Sequence, residues 1–200
     1  MDPAHTPPAA PPPADAELLR RCAQGDRAAF GQLVTRHERT LYRLALRLTP
    51  GAPEAEDALQ EALLAAWRFA PGFRGDAAVR TWLVQILVHA CRQRARRKMT
   101  QMETDAPGEA QDLETPHAGP ESVAAARQLG RALEKALATL EPEAREVLLL
   151  RDVEGLKGEE VAEVLQISLA AMKSRLHRAR LELKAQVEGV LGHALREELS

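Results

Sequence analysis

Leu156-Lys157-Gly158-Glu159-Glu160-Val161-Ala162-Glu163-Val164-Leu165-Gln166-Ile167-Ser168-Leu169-Ala170-Ala171-Met172-Lys173-Ser174-Arg175-Leu176-His177-Arg178-Ala179-Arg180 is the stretch that decides the fold. Its pattern predicts a short helix from Gly158 to Leu165, a turn at Gln166-Ile167, and a second helix capped by Ser168. Small Ala162 lies where two crossing helices must approach. Met172, Leu176, Ala179 and Leu183 recur at helical spacing and predict one buried stripe on the second helix. Ala170, Ala171, Ser174, His177 and Arg178 point the other way, with Lys173 and Arg175 on the flanks. Small and hydrogen-bonding residues beside cations suit a helix in a DNA major groove, where bases are read and phosphates neutralised. The bland alternative is an amphipathic helical hairpin with a basic face; Gln166 stands where glycine is usual at so tight a bend.

Upstream, Val123, Ala126, Leu129, Leu133, Ala136 and Leu137 predict a helix from Ser122 to about Thr139. Pro142 then starts another, running through Val147, Leu148 and Leu149 to about Asp152, where Glu154-Gly155 breaks it. Before these, Met99 to Pro120 has no periodicity and reads as a linker. Its acidity is marked: Gln101 to Glu121 carries Glu103, Asp105, Glu109, Asp112, Glu114 and Glu121 and no Lys or Arg.

The linker abuts a stretch of opposite character, Ala66 to Lys98. Four of the chain's six aromatics (Trp67, Phe69, Phe73, Trp82) fall in its first half, and five of the seven residues from Arg92 to Lys98 are cationic. Rings can stack on exposed bases while guanidinium groups neutralise phosphates, so the combination suits single-stranded nucleic acid. Pro71 to Asp76 predicts a turn-rich loop, followed by a helix from about Ala77 to Lys98 with a core stripe at Val79, Leu83, Ile86, Leu87 and Ala90. Thr81, Gln85, Val88, His89, Arg92 and Arg96 share its opposite face, which can lie along a nucleic-acid strand. For Trp67 and Trp82 taken singly, a place in the core is the simpler reading. The uninterrupted cations are harder to explain as a solvated helix end, which usually mixes signs.

Toward the amino terminus, Glu54 to about Phe69 divides into two faces. Leu59, Ala62, Leu63, Ala66 and Trp67 make the apolar one; Asp57, Gln60, Glu61, Leu64 and Arg68 make the other. The second is either a solvated surface or a docking face for a basic or amphipathic partner. Arg27 to about Thr49 is predicted as a helix capped by Asp26 and ended before Pro50-Gly51-Ala52-Pro53, with Phe30, Leu33, Val34, Leu41, Leu44, Ala45 and Leu48 buried. A short helix from Ala16 to Ala23 precedes it, closed by Gly25. Met1 to Ala14 holds six prolines and is expected to be a disordered tail.

Two hundred residues, 45% of them apolar, suffice for one ordinary domain or two small ones. Net charge is only −2, so a nucleic-acid role must rest on segregated charge. Cys22 and Cys91 form no disulfide framework and no metal-ligand spacing, which fits a reducing cytoplasm. Neither a membrane span nor a signal peptide is evident. His89 and Cys91 lie two apart on a helix and face different ways, and no nucleophile and base are suggested by spacing. No cofactor, metal or catalytic residue is expected.

Both halves together resemble a known family, the extracytoplasmic-function (ECF) group of bacterial RNA polymerase sigma factors in the sigma-70 family. Ala23 to Phe30, Leu41 to Ala45, Ala55 to Leu63, Phe73 to Asp76 and Arg80 to Leu83 look like that family's region two. Glu146 to Gly155 and Met172 to Arg180 look like region four. The resemblance implies an all-α chain of two small helical domains joined by a flexible acidic linker, the second containing the helix-turn-helix. It assigns a tail over 1–14, region two over 15–99, the linker over 100–121, region four over 122–188 and a carboxyl-terminal tail over 189–200. It also implies roles. Asp57, Gln60, Glu61 and Leu64 would dock on core RNA polymerase. Phe73, Arg74, Gly75, Asp76, Arg80, Thr81, Trp82, Gln85, His89, Arg92 and Arg96 would capture the promoter's minus-ten element as a single strand. Ala170, Ala171, Lys173, Ser174, Arg175, His177 and Arg178 would read the duplex minus-thirty-five element, and the acidic linker would thread near the polymerase active centre.

Some residues depart from the family pattern. His89 stands where many members have Asn and Gln85 where many have Arg, while Lys157 and Gly158 replace a commoner aromatic and polar cap. The function so implied is that of a dissociable, non-catalytic specificity subunit of the polymerase in the cytoplasm. It binds core enzyme and promoter DNA, promotes melting and does not insert in a membrane. The apolar faces on two small domains joined flexibly point in addition to an anti-sigma partner that clamps them together until a stimulus arrives. The alternative is a stand-alone helix-turn-helix regulator; an RNA-binding adaptor using Trp67 to Lys98 is a third class.

Overall fold

Asp26 accepts a hydrogen bond from the Ala29 amide at 3.0 Å, starting a helix at the residue its side chain predicts. Just before it, Gly25 adopts φ +88°, a left-handed bend that closes the preceding helix. Such local signals set most of the element boundaries in the computed structural model, which describes residues 14–102, 130 and 133–197. The amino-terminal tail and most of the acidic linker lie outside these residues, as does the start of the helix expected from Ser122.

The first half comprises α1 (Asp15–Ala23), α2 (Arg27–Leu48), α3 (Ala52–Phe69), a 3-10 turn (Ala70–Gly72) and α4 (Val79–Met102). Helix α3 starts two residues earlier than its charge pattern suggests, because Pro53 suits a first turn that lacks amide acceptors. In contrast, α4 begins two residues later than expected, after the loop in which Gly75 takes φ +81°. Leu18, Leu19, Leu33, Leu44, Ala58, Ala62, Leu83 and Leu87 meet in the core. Trp67 belongs with them: its ring packs edge-on against Phe30 at 5.2 Å between centroids.

The second half comprises α5 (described over 133–139), α6 (Pro142–Leu148), a π-helical turn (Leu149–Val153), α7 (Gly158–Leu165) and α8 (Leu169–Glu197). Its helix-turn-helix forms as the sequence predicts. Ser168 caps α8 by accepting from the Ala171 amide at 3.1 Å, and Gln166 takes the left-handed bend with φ 56°. The π turn is not expected from the sequence. Four successive residues, Val147 to Leu150, are all buried, and a widened turn lets each face apolar neighbours. It closes with the Glu154 amide on the Leu149 carbonyl at 2.8 Å.

The two halves share one hydrophobic cluster, which runs from Leu18 to Ala179. Helix α7 lies against α4, and α6 against α2. On the edge of this joint Arg47 of α2 donates to Glu134 of α5 at 2.9 Å. The described residues contain no strand, in keeping with the all-α expectation.

Candidate nucleic-acid interface

Helix α8 presents the face that its sequence predicts. Met172, Leu176 and Ala179 are buried beneath it, while Ala170, Ala171, Lys173, Ser174, His177 and Arg178 are exposed. Gly158 explains how closely α7 crosses: a Cβ there would stand 2.9 Å from the Met172 methyl. Among the described residues, Arg175 of the expected contacts has a side chain engaged in an ion pair, with Glu143 of α6 at 2.8 Å. Among the described residues Lys173, His177 and Arg178 have no ion-pair partner. The arrangement can enter a groove and neutralise phosphates without rearranging.

Helix α4 behaves otherwise. The face expected to lie along a strand is covered for much of its length by the second half, since α7 packs where solvent was expected. Val88 is 1% exposed and Thr81 4%, so neither is a surface residue. The Thr81 hydroxyl donates to Glu160 of α7 at 2.8 Å. Arg80 donates to both the carbonyl (2.9 Å) and the carboxylate of Glu154. Arg92 holds Glu146 of α6 through two bonds, one of them 2.8 Å from Nε. This bonding drives the Arg92 guanidinium further above its ordinary value. Glu160 is held below the usual carboxylate range by the Lys157 amide first and by Thr81 second.

The rest of the expected minus-ten set is more open. Gln85 and His89 line a groove between α3, α4 and α7, and His89 bonds to Gln93 at 2.9 Å. Phe73 and Trp82 are half-buried and pack on one another at 5.3 Å, leaving Arg74, Gly75 and Asp76 exposed on the loop. Arg74 and Asp76 approach to 3.6 Å. Arg96 is exposed.

The cations from Arg92 to Lys98 repel one another far less than their sequence suggests, because α3 and α6 supply acids from distant positions. Arg94 donates to Asp57 and, at 2.8 Å, to Glu61; Arg97 reaches Glu61 at 3.3 Å; Lys98 reaches Glu54 at 2.7 Å. The Lys98 bond keeps the Glu54 carboxyl below its ordinary range. The acidic face expected to dock a partner is thus partly neutralised from within. Gln60 remains exposed and Leu64 is 67% exposed, an unusual degree for leucine.

Three carboxylates that the sequence does not single out, Glu146, Glu154 and Glu160, engage Arg92, Arg80 and Thr81. One signal could have found Glu146: it adjoins the four-residue apolar run and so falls on a largely buried segment. Both cysteines are buried, and burial pushes the Cys91 thiol up to about 12, far from reactive thiolate. Among the described residues no cluster of His, Cys, Asp and Glu could hold a metal, and no helix is long and apolar enough to cross a membrane.

Two family models match the chain, Sigma-70 region 2 over residues 33–100 and Sigma-70 region 4 over residues 130–183. A relative from Mycobacterium tuberculosis H37Rv, "ECF RNA polymerase sigma factor SigM", is 39% identical over 169 residues, covering 84% of this chain and 82% of its own. Among solved structures, CnrH in complex with the cytosolic domain of CnrY is 26% identical with a TM-score of 0.63, covering 88% of this chain and 99% of that one. The fold is also that of the Bartonella quintana sigma factor RpoE, solved with the anti-sigma factor NepR. Its TM-score is 0.68 at 23% identity, covering 80% of this chain and 96% of that one.

Proposed function

The chain belongs to the ECF RNA polymerase sigma factors of the sigma-70 family, and from that membership we propose how its surfaces divide the work of starting transcription. It is an alternative sigma factor that acts in transcription initiation. It contributes no catalytic group of its own and works in the cytoplasm as the specificity subunit of the polymerase. A region-two unit over 15–99 and a region-four unit over 122–188 carry separate tasks, joined by the acidic linker over 100–121.

In this reading Asp57, Gln60, Glu61 and Leu64 dock on the core enzyme, with Leu64 as the apolar anchor. The loop Phe73 to Asp76, together with Arg80, Thr81, Trp82, Gln85, His89, Arg92 and Arg96, captures the minus-ten strand. Stacking a base on an aromatic contributes ~1–3 kcal/mol, enough for a few such contacts to offset local unpairing. Ala170, Ala171, Lys173, Ser174, Arg175, His177 and Arg178 read the minus-thirty-five duplex. One observation supports this reading above the others: a capped, outward-facing helix-turn-helix shares the chain with a region-two unit carrying an exposed Leu64 amid carboxylates. A stand-alone regulator has no use for the second feature. CnrH is bound to the cytosolic domain of another protein, and by analogy this chain is held by an anti-sigma partner. The decisive experiment is reconstituted transcription with core polymerase on a promoter library. Start sites that depend on this chain are expected; specific duplex binding by the isolated chain with no redirected initiation would overturn the reading.

A further inference from the structure

Helix α4 carries a row of polar side chains that the minus-ten assignment uses only in part. Gln85, His89, Gln93 and Arg97 recur every four residues, so each stands about 6 Å along the helix from the last, on one side. The last three are linked. Arg97 Nη1 donates to the Glu61 carboxylate of α3 at 3.3 Å, and its Nη2 donates to Gln93 Oε1 at 3.4 Å. A guanidinium can only donate, so the amide atom it faces is the carbonyl oxygen, and the Gln93 amino group turns the other way. There it meets His89 Nε2 at 2.9 Å. That amino group can only donate in turn, so Nε2 accepts and the imidazole carries its proton on Nδ1. His89 makes no other hydrogen bond among the described residues, which leaves Nδ1–H as a spare donor on an exposed side chain. Every member of this relay comes from α3 or α4.

We propose that Gln93 is a positioning residue for base reading, fixing the His89 ring so that α4 offers a lone donor and selects a keto base, thymine or guanine, over an amino base, adenine or cytosine, at one minus-ten position. This rests on the assignment of His89 to minus-ten binding made above. The selection follows from the exocyclic groups: thymine O4 and guanine O6 accept, whereas adenine N6 and cytosine N4 donate. A donor set against a donor leaves both unpaired. Asparagine at position 89 would offer a donor and an acceptor from one amide and make no such choice. The surroundings suit an unpaired base. Phe69, 57% exposed, lines the same groove as His89 and Gln93 and presents a ring on which a base can stack.

The test uses the full chain, its histidine rings labelled with the heavy nitrogen isotope, beside Gln93→Met and His89→Asn. In nuclear magnetic resonance at about pH 8, where an ordinary imidazole is neutral, the ring signals lost in His89→Asn identify His89. The parent is expected to show a protonated Nδ1 and a bare Nε2, and Gln93→Met to show exchange between the two neutral forms. Reconstituted with core polymerase on promoters that differ at single minus-ten positions, the parent is expected to favour keto over amino bases about fivefold at one of them. Gln93→Met and His89→Asn should each bring that ratio within about twofold, with initiation retained in Gln93→Met. A parent ring protonated on Nε2 would overturn the proposal without any variant. An unchanged ratio in Gln93→Met, or a parent with no keto preference at any position, would overturn it too. Each of these leaves the sigma reading standing, provided that start sites depend on the chain; no dependent start site would overturn that reading and the proposal with it. If circular dichroism finds Gln93→Met unfolded, Gln93→Ala takes its place: a lost keto preference supports the relay, and an unchanged one overturns it.

Discussion

Helices α4 and α8 carry the same kinds of side chain, cations and hydrogen-bond donors on one face above an apolar stripe, yet the fold treats them differently. On α8 the donors Lys173, His177 and Arg178 face solvent, while Arg175 and Arg180 at the edges of that face pair with Glu143 and Asp152. On α4 the donors Arg80, Thr81, Arg92 and Arg94 all have partners from other segments of the chain. The difference comes from position. Helix α4 is covered by α3 on one side and α6 and α7 on others, whereas the outer face of α8 meets nothing among the described residues. A basic helix face therefore indicates a chemistry, and its neighbours decide whether that chemistry is available.

The contrast can be broken most forcefully from beneath α8. Met172 is 2% exposed under the recognition face, and Met172→Ala is expected to cost ~2–5 kcal/mol. Thermal unfolding should lose its second-half signal first, and duplex binding should fail with it. Arginine truncations then sharpen the comparison. Arg92→Ala strands the buried Glu146 carboxylate and should destabilise the fold by ~1–3 kcal/mol, measured by urea titration. Arg178→Ala should leave stability within about 0.5 kcal/mol, because the side chain is exposed. Its loss should appear instead in duplex promoter binding by the holoenzyme, weakened by ~1–3 kcal/mol, as fluorescence anisotropy would record. Equal stability losses for the two arginines would refute the distinction between a covered and an open helix.

Smaller effects follow at the turn and in acid. Gln166→Gly removes a side chain from φ 56° and should raise stability by about 1 kcal/mol, a gain of a few degrees in Tm. The last effect is on pH dependence. Glu54 and Glu160 are both held below the ordinary glutamate value of 4.5, by Lys98 and by the Lys157 amide respectively. A depressed carboxylate stabilises the fold fully above its unfolded value and loses that contribution as pH falls through its folded one. Stability should therefore be level at neutral pH and decline below about 4.5, gently because both groups are largely solvated. Glu160→Gln should flatten part of that decline in a pH series of melting curves.

How much was legible follows from how far each signal reaches. Asp26, Gly25, Pro142 and Ser168 act on amides within a few residues, and each marks its boundary as expected. The stripe Met172, Leu176 and Ala179 is likewise local, and so was the direction in which α8 faces. What escaped depends on partners far along the chain. Arg92 meets Glu146 and Arg80 meets Glu154 across 54 and 74 residues, separations over which periodicity carries no information. The run from Arg92 to Lys98 looked self-repelling only because its acids lie on other helices. The π turn needed knowledge of what surrounds Val147 to Leu150.

Taken by itself, the order of residues determined the helices, their caps, the outward face of α8 and the family whose motifs those elements carry, because each depends on contacts within a turn or two of backbone. Only the tertiary structure decided which charges are free. Pairing distance is set in space, and packing the two halves against one another brings Glu146, Glu154 and Glu160 onto α4 while leaving Lys173, His177 and Arg178 of α8 facing solvent.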